Sequence, residues 1–250
     1  MLSKSLAFAN YDHGHQVMSF PEFPVFHVFS TVLAGEQFGN MSRRWAKEAG
    51  DEAAADRNVA AFFELVGISA KNRVHMIPGV GNMIKVVTEK NITDIIAGGG
   101  TFKCDGLATT MINIPLTLCS ADCLPVILGS ADPNYQFCCL LHVSKKSWKI
   151  GIIHIGVEAV HMLQHGISTS RIVAAIGPGI GPCCYDNLDL REQVRKQLQE
   201  YGLAEDNILA DEKICTCCSR LPGSEEYIFP SHRRAENCGQ EGRFLALACL

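Results

Sequence analysis

No cysteine precedes Cys104, although the 250-residue chain carries twelve. A disulfide framework would spread its cysteines along the chain, so that lopsidedness argues against one. Adjacent pairs at Cys138-Cys139 and Cys183-Cys184 point the same way, and most of the thiols are expected to be reduced, buried and acting as small hydrophobes. No run of 18 uninterrupted apolar residues occurs, and no continuous apolar stretch follows the single early lysine, Lys4. Neither a membrane span nor a secretory leader is therefore expected, which makes a cytoplasmic location the expectation. Excess positive charge is also lacking. The formal net charge is −4, and the basic pairs Arg43-Arg44, Lys145-Lys146 and Arg233-Arg234 are scattered, so neither nucleic acid nor an anionic membrane is an expected partner. Internal repeats, low-complexity tracts and a convincing linker are absent as well. With 47% hydrophobic and 19% charged positions, residues 1–250 read as a single domain able to bury a full core.

What is present is a series of short strands and a few helices without a regular βαβ rhythm. That pattern predicts an α+β fold, a single domain of mixed β-sheets layered with helices. Residues 25–32 form an apolar, β-branched and aromatic run, a strand in which His27 reads as a packed core histidine. Asp51 is placed to cap a helix reaching about Val66, because Val59, Phe62, Phe63 and Val66 recur at helical spacing and Gly67 ends it. Strands follow at 72–77 and 83–88 around a Pro-Gly-Val-Gly-Asn turn, and 97–100 reads as a flexible connector. Helices are expected at 150–166 and 190–201, and buried strands at 171–176 and at the C-terminal apolar run. His154, Glu158, His161 and His165 share one helical face. His161 and His165 lack the intervening glutamate of a HExxH metalloprotease motif, so this is expected to be a solvated face.

The chemistry concentrates between Cys104 and His142. Strands at 114–118, 125–128 and 137–142 place Cys123 and His142 at adjacent strand ends. A thiolate and an imidazole so placed make either a nucleophile with its base or two-thirds of a catalytic metal site. His75 sits on a strand just before a tight turn, where a side chain can point into a cleft. Residues 177–184, Gly-Pro-Gly-Ile-Gly-Pro-Cys-Cys, are neither a Walker A loop nor a dinucleotide fingerprint, but such glycines let a backbone approach a ligand closely. Cys215, Cys217 and Cys218 suggest a zinc site with Cys183 and Cys184, yet thiols lining the interior are the expectation. Blue-copper and trinuclear copper centres need many histidines, commonly in repeated His-x-His units, and the sequence offers only His13-Gly14-His15, so a multicopper oxidase is not the expectation.

The pieces HVFSTVLAGE, RVHM at His75, DGLATT at Asp105, SADCLPVIL around Cys123, LLH at His142, AAIGPGIGPCCYD, the Cys-Thr at Cys215, SHRR and GRFLAL occur in that order. Together they resemble the YfiH-like proteins, once labelled polyphenol oxidases of laccase type and now regarded as purine nucleoside phosphorylases. The resemblance covers nearly the whole chain. It implies a layered fold and a catalytic zinc held by His75, Cys123 and His142, with copper as a metal the same donors take in vitro. It also implies phosphorolysis of adenosine, inosine or methylthioadenosine to free base and ribose 1-phosphate, and adenosine deamination as a further activity. Arg233, Arg234 and Asp105 become candidates for contact with substrate or phosphate. The chain departs from the family pattern where Arg73-Val74-His75-Met76 stands for Gln-Val-His-Gly and His142-Val-Ser-Lys-Lys-Ser-Trp for His-Ala-Gly-Trp-Arg-Gly. Two other readings stay open on the same residues: a metal-free cysteine amidohydrolase using Cys123 and His142, and a catalytically degenerate binding homologue. The oligomeric state stays open with them.

Overall fold

The computed structural model describes residues 4–8, 16–48, 52–238 and 242–250. His13, His15 and the expected cap Asp51 lie outside the described residues. Among them the strands are β1 (Ala7–Phe8), β2 (Val17–Ser19), β3 (Phe26–Ser30), β4 (Val74–Ile77), β5 (Ile84–Val87), β6 (Thr101–Lys103), β7 (Gly106–Thr109), β8 (Leu116–Ser120), β9 (Leu124–Ser130), β10 (Cys138–Val143), β11 (Ile172–Ile176), β12 (Ile208–Ala210) and β13 (Phe244–Cys249). The helices are α1 (Glu36–Gly39), α2 (Arg43–Glu48), α3 (Glu52–Leu65), α4 (Ile92–Ala97), α5 (Lys145–Lys149), α6 (Ile152–Leu163), α7 (Leu190–Glu200) and α8 (His232–Cys238).

Two mixed sheets result, one ordered β1-β2-β3-β13-β8-β4-β6 and the other β12-β11-β9-β10-β7-β5. Alternation along the strands explains why both are covered on both faces. In β10, Leu140 joins Phe29, Met76, Leu118 and Phe244 in a core between the sheets, whereas Leu141 points the other way to Ile152, Val157 and Val160 of α6. The outer face of the first sheet carries Val28, Leu245 and Leu247 against Phe62 and Phe63 of α3. The result is four layers, helix, sheet, sheet and helix, and it matches the expected α+β class of mixed sheets layered with helices.

The chain crosses between the sheets twice close together. After β6 it passes through Cys104-Asp105 into β7, and after β8 it passes through 121–123 into β9. Strands β4, β6 and β8 run parallel, so their C-terminal ends meet at this corner. β10 delivers His142 to the same place, its backbone N–H donating to the Asp105 carbonyl at 2.8 Å.

Two loops turn out to be helical. Residues 97–100 are the ordered end of α4: the Gly98 N–H closes the helix on the Asp94 carbonyl, and Gly100 (φ 65°) carries the chain back so that its carbonyl accepts from His75 N–H at 2.7 Å. A Cβ at Gly100 would lie 2.6 Å from the Arg73 carbonyl oxygen, so glycine is required there for close approach rather than for mobility. Likewise the polar segment after His142 forms α5, started by a Ser144/Ser147 capping box.

Candidate active site

Cys123 and His142 meet at the corner between the sheets. Cys123 is half-buried and lies beside the His142 imidazole, close enough to act on its charge, and the imidazole is itself buried. Behind the ring, His142 Nδ1 lies 3.6 Å from Asp105 Oδ1. Neither of those atoms has a hydrogen-bond partner, so the contact is an ion pair, formed with both groups out of water. Burial opposes a charge on His142, but the Asp105 carboxylate and Cys123 outweigh it and raise the imidazole to about 9. The same contact, with a hydrogen bond from Gly81 N–H at 2.9 Å, holds Asp105 below the usual carboxylate range against the opposing effect of burial. Asp105, expected only as a substrate contact, is thus the group that orients and charges the histidine.

Asp122 is a site residue that the sequence reading passed over. It has φ 75°, a left-handed conformation that costs a non-glycine residue of order 1 kcal/mol or more and is kept where the surroundings over-determine it. Here they do. Its carboxylate accepts from Thr216 Oγ1 at 2.6 Å, Ser231 Oγ at 3.1 Å and the Arg233 backbone N–H at 2.7 Å, and its carbonyl accepts from Ile180 N–H at 2.9 Å. Three remote segments are therefore tied to the residue before Cys123. Glycine is required at 179 for this packing, since a Cβ there would lie 2.3 Å from Leu124 Cδ2 and 3.1 Å from the Asp122 carbonyl oxygen.

Tyr185, also missed, faces the same corner. Burial first, then the negative charge of Cys123, pushes its phenol pKa up. Lys145 Nζ sits 5.8 Å and the Arg233 guanidinium 5.6 Å from its ring centroid, and Arg233 Nη2 is 3.6 Å from Asp186 Oδ2. The rim of the site is thus an aromatic ring with two cations close to it. Arg234 is engaged differently. Its guanidinium donates to the carbonyls of Phe229, Thr216 and Cys217 and stacks on Tyr227 at 3.8 Å, which makes it a brace between segments.

His75 stands apart. Val74 and Met76 point into the core between the sheets, so His75 points to the opposite face. There its Nδ1 is 3.1 Å from Thr117 Oγ1, and it lines a separate cavity of about 260 Å³ with Arg43, Arg44, Asp56 and Cys119. Burial, then the neighbouring Arg73 charge, lowers its pKa to about 3. The end of β4 nearest Cys123 is followed by Pro78-Gly79, neither of which offers a ligand atom.

Among the described residues one group of three or more ligand side chains gathers tightly enough for a single ion, and it is elsewhere. The sulfurs of Cys183, Cys184, Cys215 and Cys218 all lie within 4.8 Å of one another. Of these thiols expected to line the interior, Cys215 is buried, Cys184 half-buried, and Cys183 and Cys218 are exposed. The signal was in the sequence, because Cys215 and Cys218 have Cys-x-x-Cys spacing. His154 and Glu158 of α6 are exposed and pair with each other at 3.1 Å, the solvated face expected of them.

A family model described as multi-copper polyphenol oxidoreductase laccase matches residues 35–187. The purine nucleoside phosphorylase YlmD of Geobacillus stearothermophilus is 33% identical over 171 residues, 57% of this chain and 58% of the relative. The human purine nucleoside phosphorylase LACC1 is 28% identical over 142 residues, 46% of this chain and 32% of the relative. The aligned part of the chain thus spans little more than half the length, or less, of these curated relatives. The crystal structure of Geobacillus stearothermophilus YlmD superposes with a TM-score of 0.78 and 26% identity over 94% of this chain and 96% of that one. A Bacillus licheniformis hypothetical protein, YfiH, gives the same TM-score at 22% identity over 98% of each, a likeness of fold.

Proposed function

The chain belongs to the multi-copper polyphenol oxidoreductase laccase family, the YfiH-like proteins, and from that premise we propose that it is a purine nucleoside phosphorylase whose site is the corner around Cys123. The observation that carries the proposal is the row Cys123, His142 and Asp105 with Tyr185, Lys145 and Arg233 at its rim. Such a rim suits the two halves of the substrate pair, an aromatic face for a purine and two cations for a phosphate dianion.

A thiol and an imidazole in contact, the imidazole oriented by a carboxylate behind it, fit a soft divalent metal. Cys123 and His142 would hold zinc, which when bound supplies a Lewis acid beside the substrate. Among the described residues His75 does not join them, because it is turned to the other face of its sheet. The chain's own residues then divide the remaining work. Asp105 fixes the tilt of the His142 ring, and Asp122 fixes the backbone that carries Cys123. Arg233 and Lys145 neutralise phosphate as one of its oxygens bonds to the ribose C1′. The C1′–N9 bond breaks, its electron pair leaves with the base, and the base takes up a proton. Adenosine deamination is the finer possibility at this site, separated from phosphorolysis by release of ammonia without phosphate.

Incubation with inosine or adenosine and phosphate is expected to release free base and ribose 1-phosphate, and Cys123→Ser to abolish it. Wild-type protein that forms neither product would sink the phosphorylase reading. The metal-free reading has an observation of its own, Cys123 beside a histidine that is backed by a carboxylate 3.6 Å away, the layout of an activated thiol nucleophile acting on an amide. Alkylation of Cys123 by iodoacetamide at neutral pH, unaffected by added zinc, favours that reading; protection by zinc favours the first.

A further inference from the structure

Four thiols converge about the loops behind the site, and nothing in the proposed reaction uses them. Cys183 and Cys184 close the glycine loop after β11, and Cys215 and Cys218 belong to the segment after β12. The Cys183 and Cys218 sulfurs are 3.6 Å apart. That is far longer than the roughly 2.05 Å of a disulfide. It is close to the roughly 3.8 Å edge of a tetrahedron whose corners lie about 2.3 Å from a central zinc. The Gly181 N–H also points at Cys215 Sγ from 3.1 Å, a donor that stabilises a thiolate and costs the site no ligand position. Cys215 is buried, Cys184 half-buried, and Cys183 and Cys218 open to solvent, so an ion can enter from outside. The donor set is four soft sulfurs, the composition of a closed structural site.

We infer that Cys183, Cys184, Cys215 and Cys218 form a four-thiolate structural zinc site, distinct from the Cys123 corner. Its place in the fold gives it a purpose. Tyr185 follows Cys184 directly, and Thr216, the strongest hydrogen-bond donor to Asp122, lies between two of the cysteines. The two loops already share the Thr216 N–H to Gly179 carbonyl bond at 3.0 Å and are braced from inside by buried Arg191, which donates to the Ile214 carbonyl at 2.7 Å. An ion between them fixes the register of both, and so the position of Tyr185 and Asp122 relative to Cys123.

The test starts from the full chain carrying Cys123→Ser, which removes the sulfur donor of the other site, purified with zinc in the growth medium and dialysed without chelator. About one zinc per chain is expected, with X-ray absorption showing four sulfur neighbours at about 2.3 Å. Adding Cys183→Ser and Cys218→Ser is expected to remove that zinc, whereas adding Cys217→Ser, in the same segment but outside the group, retains it. Because the absorption measurement uses a chain with all four thiols intact, it does not depend on the double variant folding. A metal-free Cys123→Ser chain, a shell dominated by nitrogen or oxygen, disulfides among the four thiols in place of metal, or loss of zinc in the Cys217 variant would each overturn the assignment.

Discussion

The first sheet and the corner between the sheets treat histidine in opposite ways. In the first sheet His27 donates from Nδ1 to the Val25 carbonyl and accepts at Nε2 from the Phe20 N–H, both at 2.9 Å, inside a ring of Phe20, Phe23 and Phe29. Burial lowers it to about 4, and on the far face of the same sheet it lowers His75 to about 3. Nearby, His142 is as deeply buried as His27, yet a carboxylate and a thiol raise it to about 9. Burial alone therefore does not decide whether a histidine is chemical equipment. What matters is whether the side chain reaches a partner that stabilises its charge, and in a strand that depends on parity: His75 is one residue out of phase with the face that looks inward.

The sharpest way to break this comparison is to exchange the fates of the two residues. Cys123→Ser is expected to lower phosphorolysis by about a thousandfold or more, while His75→Gln keeps zinc and most of the rate. Loss of metal in the His75 variant, measured by elemental analysis, would return that residue to the ligand set. Asp122→Ala comes next. It removes the acceptor for three donors, at about 1.5–3 kcal/mol for a hydrogen bond to a charged group, so a loss of about 3 kcal/mol or more is expected in denaturant unfolding. Asp122→Asn, which tolerates the same left-handed backbone, should recover part of it.

The pH profile of stability tests the opposition directly. His27 is neutral in the fold and takes up a proton when unfolded, so stability is lost as pH falls from 6.5 towards 4, by about 3 kcal/mol in all. His142 has the reverse sign. Its folded pKa is raised, so its contribution is complete below pH 6.5 and disappears as pH climbs through about 9, again about 3 kcal/mol in chelator-treated protein. Unfolding midpoints are expected to fall on both sides of a plateau, with His27→Gln flattening the acid limb and His142→Gln the alkaline one. An unchanged alkaline slope in the His142 variant would mean that the ion pair with Asp105 does not form in solution.

Much of this fold was legible because both sheets are covered on both faces, which turns strands such as Cys138–Val143 into continuous apolar runs. Cys123 and His142 were legible for a related reason: both interrupt such runs at their ends. His75 misled because its motif gives a residue type and a strand but not a facing, and facing is set by pairing with Leu116 to Leu118. Asp122 was invisible because its carboxylate's partners lie about ninety or more positions away, and Tyr185 because the residues it meets come from other segments; a single sequence carries no sign of Thr216 or Ser231 meeting Asp122. The helix at Lys145–Lys149 was read as a loop because its start is a side-chain device, the Ser144/Ser147 box, rather than an apolar period.

That short helix sets up the smallest expected effect. It places Lys145 near the Tyr185 ring, as Arg233 also is, where the family pattern has a different sequence. Lys145 is exposed and screened by solvent, so its attraction for a phosphate dianion is worth about 1 kcal/mol or less. Lys145→Met is therefore expected to raise the KM for phosphate about threefold to fivefold, with kcat and the KM for inosine nearly unchanged and the difference from wild type fading in high salt. If the KM for inosine rises instead, the lysine serves the nucleoside half of the site, and Arg233 alone carries the anion. If neither moves, Lys145 belongs to the fold rather than to the reaction.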